Sequence, residues 1–122
     1  IVVPERDSAL VNADAIKTSA GALHKIPVCR VTQLKKTISY LSEAGLTVIG
    51  CTEKAEKKMS DHSLKGPMAI VMGSEEDGID SKLLVKCDHL VKIPLMGSIQ
   101  SLNVSVASAI MIYEVQRQQN IV

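Results

Sequence analysis

Two glycine-containing segments hold the side chains that are best suited to ligand binding or catalysis. The first, Gly73–Gly78, reads Gly-Ser-Glu-Glu-Asp-Gly and follows the apolar run Met68–Met72. Its glycine spacing matches the start of a phosphate-binding loop, but Ile79-Asp80 stands where that loop needs Lys followed by Ser or Thr. A dinucleotide-binding fingerprint fails too, because Glu75 replaces its second glycine. The remaining pattern, G-x-E-x-x-G, suits a neutral or cationic ligand, and a plain acidic turn is the structural alternative.

The second segment, Ile93–Ser105, is an apolar loop that leads into a helix. Its stretch Leu95–Ile99 is too apolar to lie in water without a reason, so we expect it to line a ligand pocket or a subunit contact. Ser101 is predicted to cap the helix, and Asn103 in the first turn could present its amide to a ligand. Helix capping alone would also explain both residues.

A third, weaker signal is Gly50–Glu53, which follows a predicted strand at 46–49. Gly50 would let a ligand approach the backbone closely, and Thr52 offers a hydroxyl group. An ordinary turn from strand to loop is the alternative interpretation.

The elements that must position these segments alternate along the chain. Strands are predicted at 26–31, 46–49, 68–72 and 89–93, and Ile1–Pro4 resembles the end of another. Helices are predicted at 34–44 between a cap at Thr32 and a stop at Gly45, from a cap at Asp80 to Lys86, and from Ser101 to about Gln118. Residues 8–25 are expected to be helical or mixed, and residues 52–66 to be loop with a short helix.

This alternation predicts an α/β fold with a mainly parallel sheet flanked by helices. The continuous apolar run at 68–72 predicts a strand covered on both faces. Ligands bind such sheets beyond the carboxyl ends of the strands, so we expect the three segments to meet there.

The predicted last helix is apolar on two stripes. One contains Leu102, Val106, Ile110 and Tyr113, and the other contains Val104, Ala107, Met111 and Val115. A helix that is apolar around most of its circumference is buried. We expect one stripe to form a homodimer interface, with a single deep core as the alternative.

Composition limits the class of protein. The 122 residues suit one domain, and a net charge of +1 gives no basic excess of the kind that marks nucleic-acid binding. The local lysine groups are interpreted as solvated faces; they are Lys35-Lys36, Lys54 with Lys57-Lys58, and Lys82 with Lys86. Cys29, Cys51 and Cys87 form no pairing motif and are expected to be small buried residues in a reducing, cytoplasmic compartment. We expect no metal site, since no histidine has ligand spacing, and no membrane span, since no apolar run is long enough.

The two glycine-containing segments together resemble motifs of the SpoU RNA methyltransferases, members of the SPOUT superfamily. Ile70–Ile79 looks like motif 2 of that family and Ile93–Ala107 looks like motif 3. Ser19–Ala22, ahead of Ile26-Pro27-Val28, resembles a further family stretch. The resemblance runs from Ile1 to about Gln118 and is strongest to bacterial enzymes that methylate a guanosine ribose in 23S ribosomal RNA.

The resemblance implies a deep C-terminal trefoil knot, a homodimer through the last helix, and S-adenosylmethionine as the cofactor. It implies transfer of a methyl group to a ribose 2′-hydroxyl of RNA, with ribosomal RNA favoured over transfer RNA. The cofactor-binding residues that it implies are Thr52, Met72, Gly73, Glu75, Gly78, Ile93, Leu95, Ser101, Leu102 and Asn103.

The family's motif 1, with its Asn and Arg, is not found in residues 1–122. The resemblance places that motif before Ile1, with one further strand and helix, so residues 1–122 are expected to be a SpoU-type domain without its motif 1 segment. The catalytic residues that it implies here are Glu75, Ser101 and Asn103. Two alternatives stay open: a non-catalytic RNA-binding or assembly module with the same fold, and a different nucleotide-binding α/β enzyme.

Overall fold

The computed structural model describes all residues 1–122 and divides them into two compact units, Ile1–Thr37 and Ile38–Val122. The first unit contains β1 (Val2–Pro4), α1 (Ala13–Thr18), a 3₁₀ turn (Ala22–His24) and β2 (Cys29–Val31). β1 and β2 pair in parallel. Residues 8–25 are therefore mixed, as predicted, because Ala20 and Gly21 take positive φ angles of 53° and 82° and end α1.

The chain passes into the second unit within α2 (Leu34–Glu43). The remaining elements are β3 (Thr47–Cys51), a 3₁₀ turn (Met59–Asp61), β4 (Met68–Val71), α3 (Ser81–Leu84), β5 (His89–Val91) and α4 (Val104–Gln118). β3, β4 and β5 form a parallel sheet in the order β4-β3-β5. The predicted α/β architecture with parallel pairing is confirmed, although the strands form two small sheets where one was predicted.

The main core cluster of the second unit lies on the face of this sheet that carries Ile49, and the neighbouring Val48, on the opposite face, is fully buried as well. Ile49 of β3 and Val91 of β5 are fully buried against Met111 of α4 and Leu64 of the 52–66 segment. β3 is the most buried strand because it lies in the middle. The prediction that 68–72 would be covered on both faces is wrong, since β4 is an edge strand whose residues are only half-buried.

Helix ends explain where the predicted boundaries hold and where they fail. Gly45 ends α2 as predicted, with a φ of 101°; its N–H donates to Ser42 and that of Leu46 donates to Leu41, which satisfies the last carbonyls. Asp80 caps α3 as predicted, by accepting from the Lys82 N–H. Thr32 does not cap α2, because Gln33 is the residue directly before its first turn.

Ser101 does not cap α4 either. A cap at Ser101 would make Leu102 the first helical residue. The helix begins two residues later, at Val104, because the side chain of Asn103 takes the capping position. Ser101 thus remains in the loop before the helix.

The two apolar stripes of α4 have different surroundings. Ala107 and Met111 are buried and Val115 packs on the core, so one stripe forms the interior. On the other stripe, Val106 is 48% exposed and Tyr113 is 61% exposed. Burial in a single deep core, the alternative to a dimer interface, therefore explains only the stripe with Ala107 and Met111.

The three cysteines are free, but the prediction that each is a buried residue fails for Cys29, which is exposed, while Cys51 and Cys87 are half-buried.

Candidate functional site

A cleft of about 400 Å³ lies at the carboxyl ends of the three parallel strands of the second unit. This volume falls in the range of small-molecule sites. The three segments singled out from the sequence all contribute to it, so their predicted convergence is confirmed. The lining residues are Cys51–Lys54, Met72–Gly78, Ile93, Leu95, Gln100–Leu102, Val104 and Ala107.

The loop after β4 is a closed turn. Ser74 and Gly78 exchange backbone hydrogen bonds of 3.1 and 3.0 Å, and the Asp77 N–H donates to the Ser74 hydroxyl. Gly73 must be glycine, because a Cβ there would lie 2.1 Å from the carbonyl carbon of Gly78. The missing side chain lets this turn fold back on its own first residue and hold Glu75 at the cleft.

A side-chain network joins this turn to the start of α4. Asn103 Nδ2 donates to Glu75 Oε1 at 2.7 Å. Asn103 Oδ1 accepts from the backbone N–H and the hydroxyl of Ser105, at 2.9 and 2.6 Å. One amide group therefore caps the helix and fixes a carboxylate of the neighbouring loop.

The loop after β3 is held by backbone hydrogen bonds. The N–H of Thr52, which is buried, donates to Val91 at 2.9 Å, and its hydroxyl accepts from the Lys54 N–H. One interpretation of the sequence was that Gly50 lets a ligand approach the backbone. This interpretation is wrong, because Gly50 does not line the cleft. It lies inside β3, and a Cβ there would come within 2.8 Å of Leu90 and 2.9 Å of Cys87, so it makes room for packing.

Acidic side chains dominate the polar lining of the cleft. Four acidic residues and one lysine line it: Glu53, Glu75, Glu76 and Asp77, with Lys54. Such a lining repels phosphate and favours a ligand with a positive charge. Burial raises the pKa of the Cys51 thiol, and Glu53 raises it further, which disfavours the reactive thiolate form.

The predicted site residues are brought together by the fold. All of those implied as cofactor-binding line the cleft except Asn103, which reaches it through Glu75. Besides Met72, which was implied as cofactor-binding, two lining residues, Lys54 and Ala107, fall outside the three segments singled out from the sequence. Ala107 could have been found, because it lies one helical turn after Asn103.

No three His, Cys, Asp or Glu side chains lie close enough to hold a metal ion. No helix has the length and apolar character to cross a bilayer.

The fold and the cleft together define an α/β ligand-binding domain whose site lies at the ends of parallel strands. Comparison with known families is specific: residues 1–113 match the model of the SpoU rRNA Methylase family. The chain belongs to that family. The hypothesis of a different nucleotide-binding α/β enzyme is therefore wrong.

Named relatives agree with this assignment. The chain is 44% identical over 119 residues to the 23S rRNA (guanosine-2′-O-)-methyltransferase RlmB of Vibrio parahaemolyticus, covering 98% of this chain and 48% of that protein. It is 39% identical to RlmB of Photorhabdus laumondii, covering 98% of this chain and 49% of that protein. The chain thus spans about half the length of these curated relatives.

Solved structures match as well. The SpoU methyltransferase AviRb from Streptomyces viridochromogenes, in complex with AdoMet, superposes with a TM-score of 0.86 at 25% identity, over 96% of this chain and 48% of that one. A second structure, described as an RNA 2′-O ribose methyltransferase, gives a TM-score of 0.85 at 26% identity, over 99% of this chain and 46% of that one.

Proposed function

We propose that this chain is the cofactor-binding domain of an enzyme that methylates the ribose 2′-hydroxyl of a guanosine in 23S ribosomal RNA, with S-adenosylmethionine as the methyl donor. The observation that carries the proposal is the cleft built by the turn 73–78 and the loop 93–103 in a member of the SpoU family. The RlmB relatives are named for this reaction, and AviRb was crystallised with this cofactor.

The residues present fit that cofactor. The cleft combines apolar walls for an adenosine, such as Met72, Ile93 and Leu102, with an acidic rim. When bound, S-adenosylmethionine supplies an electrophilic methyl group on a positively charged sulfur, and acidic side chains suit that charge. The residues that would hold it are Thr52, Met72, Gly73, Glu75, Gly78, Ile93, Leu95, Ser101, Leu102 and Asn103.

Glu75, Ser101 and Asn103 are the proposed catalytic residues of this chain. Asn103 fixes Glu75 through Oε1, which leaves Oε2 free to accept a hydrogen bond from the RNA or from a group that orients it. Ser101 places a hydroxyl at the cleft, where it can align the reacting ribose. We propose that the remaining acid–base groups, the motif 1 Asn and Arg, belong to a segment of the whole protein that precedes Ile1, with one further strand and helix.

Three further features belong to the proposal. The segments around the cleft would form a deep trefoil knot, as the resemblance to the SPOUT superfamily implies. The exposed stripe of α4, with Val106 and Tyr113, would be covered by a second copy of the chain. A ribosomal RNA substrate would place the enzyme in the cytoplasm.

The comparisons do not favour the alternative of a non-catalytic RNA-binding or assembly module. The relatives, which the chain matches over about half of their length, are named as methyltransferases. The linked pair Glu75 and Asn103, proposed here as catalytic, is also present.

The test is methyl transfer by the complete protein to 23S ribosomal RNA that lacks the modification. We expect a radiolabelled methyl group on one guanosine ribose, and loss of the transfer in Glu75→Gln. Cofactor binding without transfer to any RNA would contradict the proposed reaction.

A further inference from the structure

The outer edge of the three-stranded sheet, at β5, carries a cluster of cationic side chains outside the cleft. The chain at 57–59 runs alongside the end of β5: the Lys92 N–H donates to Lys57 at 2.9 Å, and the Met59 N–H donates to Lys92 at 2.9 Å. These bonds place Lys58 directly opposite Lys92 in a parallel bridge.

Two lysines in that relation repel each other. Like charges placed directly opposite across a strand pair are destabilising unless something neutralises them. The sole salt bridge of the structure joins Arg117 to Glu114, so neither lysine is paired with an acid.

Two histidines lie at the same edge, with the ring centroids of His62 and His89 4.4 Å apart. Burial lowers the pKa of His62, and the positive charges of His89 and Lys57 lower it further. Cationic neighbours therefore surround this imidazole.

Three acidic residues neighbour these cations in the sequence, and none of them forms a salt bridge with them. The carboxylate of Asp88 accepts from the Val48 N–H at 2.7 Å, and that of Asp61 accepts from the Ser60 hydroxyl at 3.2 Å. Glu56 is exposed and forms no salt bridge.

We propose that the β5 edge surface, formed by Lys57, Lys58, His62, His89 and Lys92, binds backbone phosphates of the RNA substrate. This inference rests on the proposed function, because it names where that substrate is held. Phosphates would neutralise the repelling pair and accept hydrogen bonds from the imidazoles.

The position of the surface supports an RNA strand as the occupant. The segment that supplies Lys57 and Lys58 begins in the cleft at Thr52–Lys54, and Lys92 directly precedes Ile93, which lines the cleft. In an RNA strand bound along this edge, the next ribose would thus lie close to the acidic cleft, which itself repels phosphate.

The experiment measures binding of a short unstructured oligoribonucleotide to the complete chain by fluorescence anisotropy. The variant is Lys57→Gln/Lys58→Gln/Lys92→Gln, and the matched control with the same change in charge is Lys65→Gln/Lys82→Gln/Lys86→Gln. We expect at least about a tenfold loss of affinity in the variant, with the logarithmic salt slope reduced by about 2, because each lost single-strand phosphate contact removes about 0.7. Equal losses in variant and control, or no RNA binding by the wild-type chain, would overturn the proposal.

The histidines are tested by pH. Bound phosphate favours the charged imidazole, so wild-type affinity should rise as the pH falls from about 8 to about 6, and His62→Gln/His89→Gln should remove most of that rise. If the pH dependence is the same in the wild type and in His62→Gln/His89→Gln, the two histidines do not contact the RNA. S-adenosylmethionine binding is measured on every variant: its absence in the wild type counts against the proposed function, whereas intact cofactor binding with unaltered RNA binding counts against this surface alone.

Discussion

The side-chain amide of Asn103 lies between two parts of the site: its Nδ2 donates to Glu75 Oε1 at 2.7 Å, while its Oδ1 accepts from the backbone N–H of Ser105 at 2.9 Å. The start of α4 and the turn after β4 are therefore fixed to each other by one residue. A change at Asn103 can be chosen to affect either partner separately.

Asn103→Asp should weaken cofactor binding without loss of stability. Asp caps helices as well as Asn does, so α4 should begin at the same residue. It cannot donate to Glu75, however, and it places a second carboxylate against the first. We expect at least a tenfold loss of S-adenosylmethionine affinity by calorimetry, with a melting temperature near that of the wild type.

Asn103→Ala is the matched comparison, since it removes the cap as well and should lower the free energy of unfolding by about 1 kcal/mol. If Asn103→Asp binds the cofactor as tightly as the wild type, the hydrogen bond to Glu75 has no part in the site.

Gly73→Ala should disrupt the turn that holds Glu75. The added Cβ would lie 2.1 Å from the carbonyl carbon of Gly78 and 2.3 Å from the Ile79 nitrogen, and both are backbone atoms that cannot move without opening the turn. We expect a loss of about 1–3 kcal/mol in the free energy of unfolding, together with loss of cofactor binding.

Gly45→Ala is the control for this substitution. Its φ of 101° makes the change strained by about 1–2 kcal/mol, but no atom lies within 4 Å of the added Cβ and the site is remote from the cleft lining. Equal cofactor affinity in the two variants would contradict the account of the turn.

The sequence predicted the order of the elements and the convergence of three loops, because hydrophobic periodicity and strand-end rules are local signals. It placed the cap of α4 at Ser101, since both Ser101 and Asn103 are good capping residues and only their geometry decides between them. The role of Gly50 was equally hidden. Its neighbours Leu90 and Cys87 are far away in sequence, and no local pattern records that contact.

The pH dependence of stability should depend on Glu114, a buried carboxylate on α4. Hydrogen bonds from Arg117 at 2.8 Å and from Gln118 at 2.8 Å lower the pKa of Glu114 to about 2. Gln118 in turn accepts from the Leu64 N–H, so the carboxylate anchors the segment before β4.

The pKa of Glu114 is depressed in the folded state. The ionised carboxylate therefore contributes fully to the free energy of unfolding above about pH 4.5, the ordinary pKa, and this contribution is lost as the pH falls through about 2. Glu114→Gln should be less stable than the wild type by about 1–3 kcal/mol at neutral pH. Urea unfolding should show that this difference shrinks as the pH is lowered from about 4.5 to about 2. A difference that stays constant down to pH 2 would show that the charge of Glu114 is irrelevant.

The exposed stripe of α4 predicts self-association. Tyr113 is 61% exposed on a helix face that also carries Val106, so Tyr113→Glu would place a charge in the proposed interface. We expect a dimer for the wild-type chain in sedimentation equilibrium and a monomer for Tyr113→Glu.

The control is Tyr40→Glu on α2, where the aromatic ring is 69% exposed and no dimer contact is proposed. A wild-type monomer at all accessible concentrations, or dissociation by both substitutions, would contradict an interface on α4.

The cleft at the ends of β3, β4 and β5 should bind S-adenosylmethionine, and calorimetric titration of this chain measures that binding itself. We expect saturable binding at one site per chain with a micromolar dissociation constant, abolished by Gly73→Ala and retained by Gly45→Ala. A chain that is folded by circular dichroism and gives no binding heat with millimolar cofactor would contradict it.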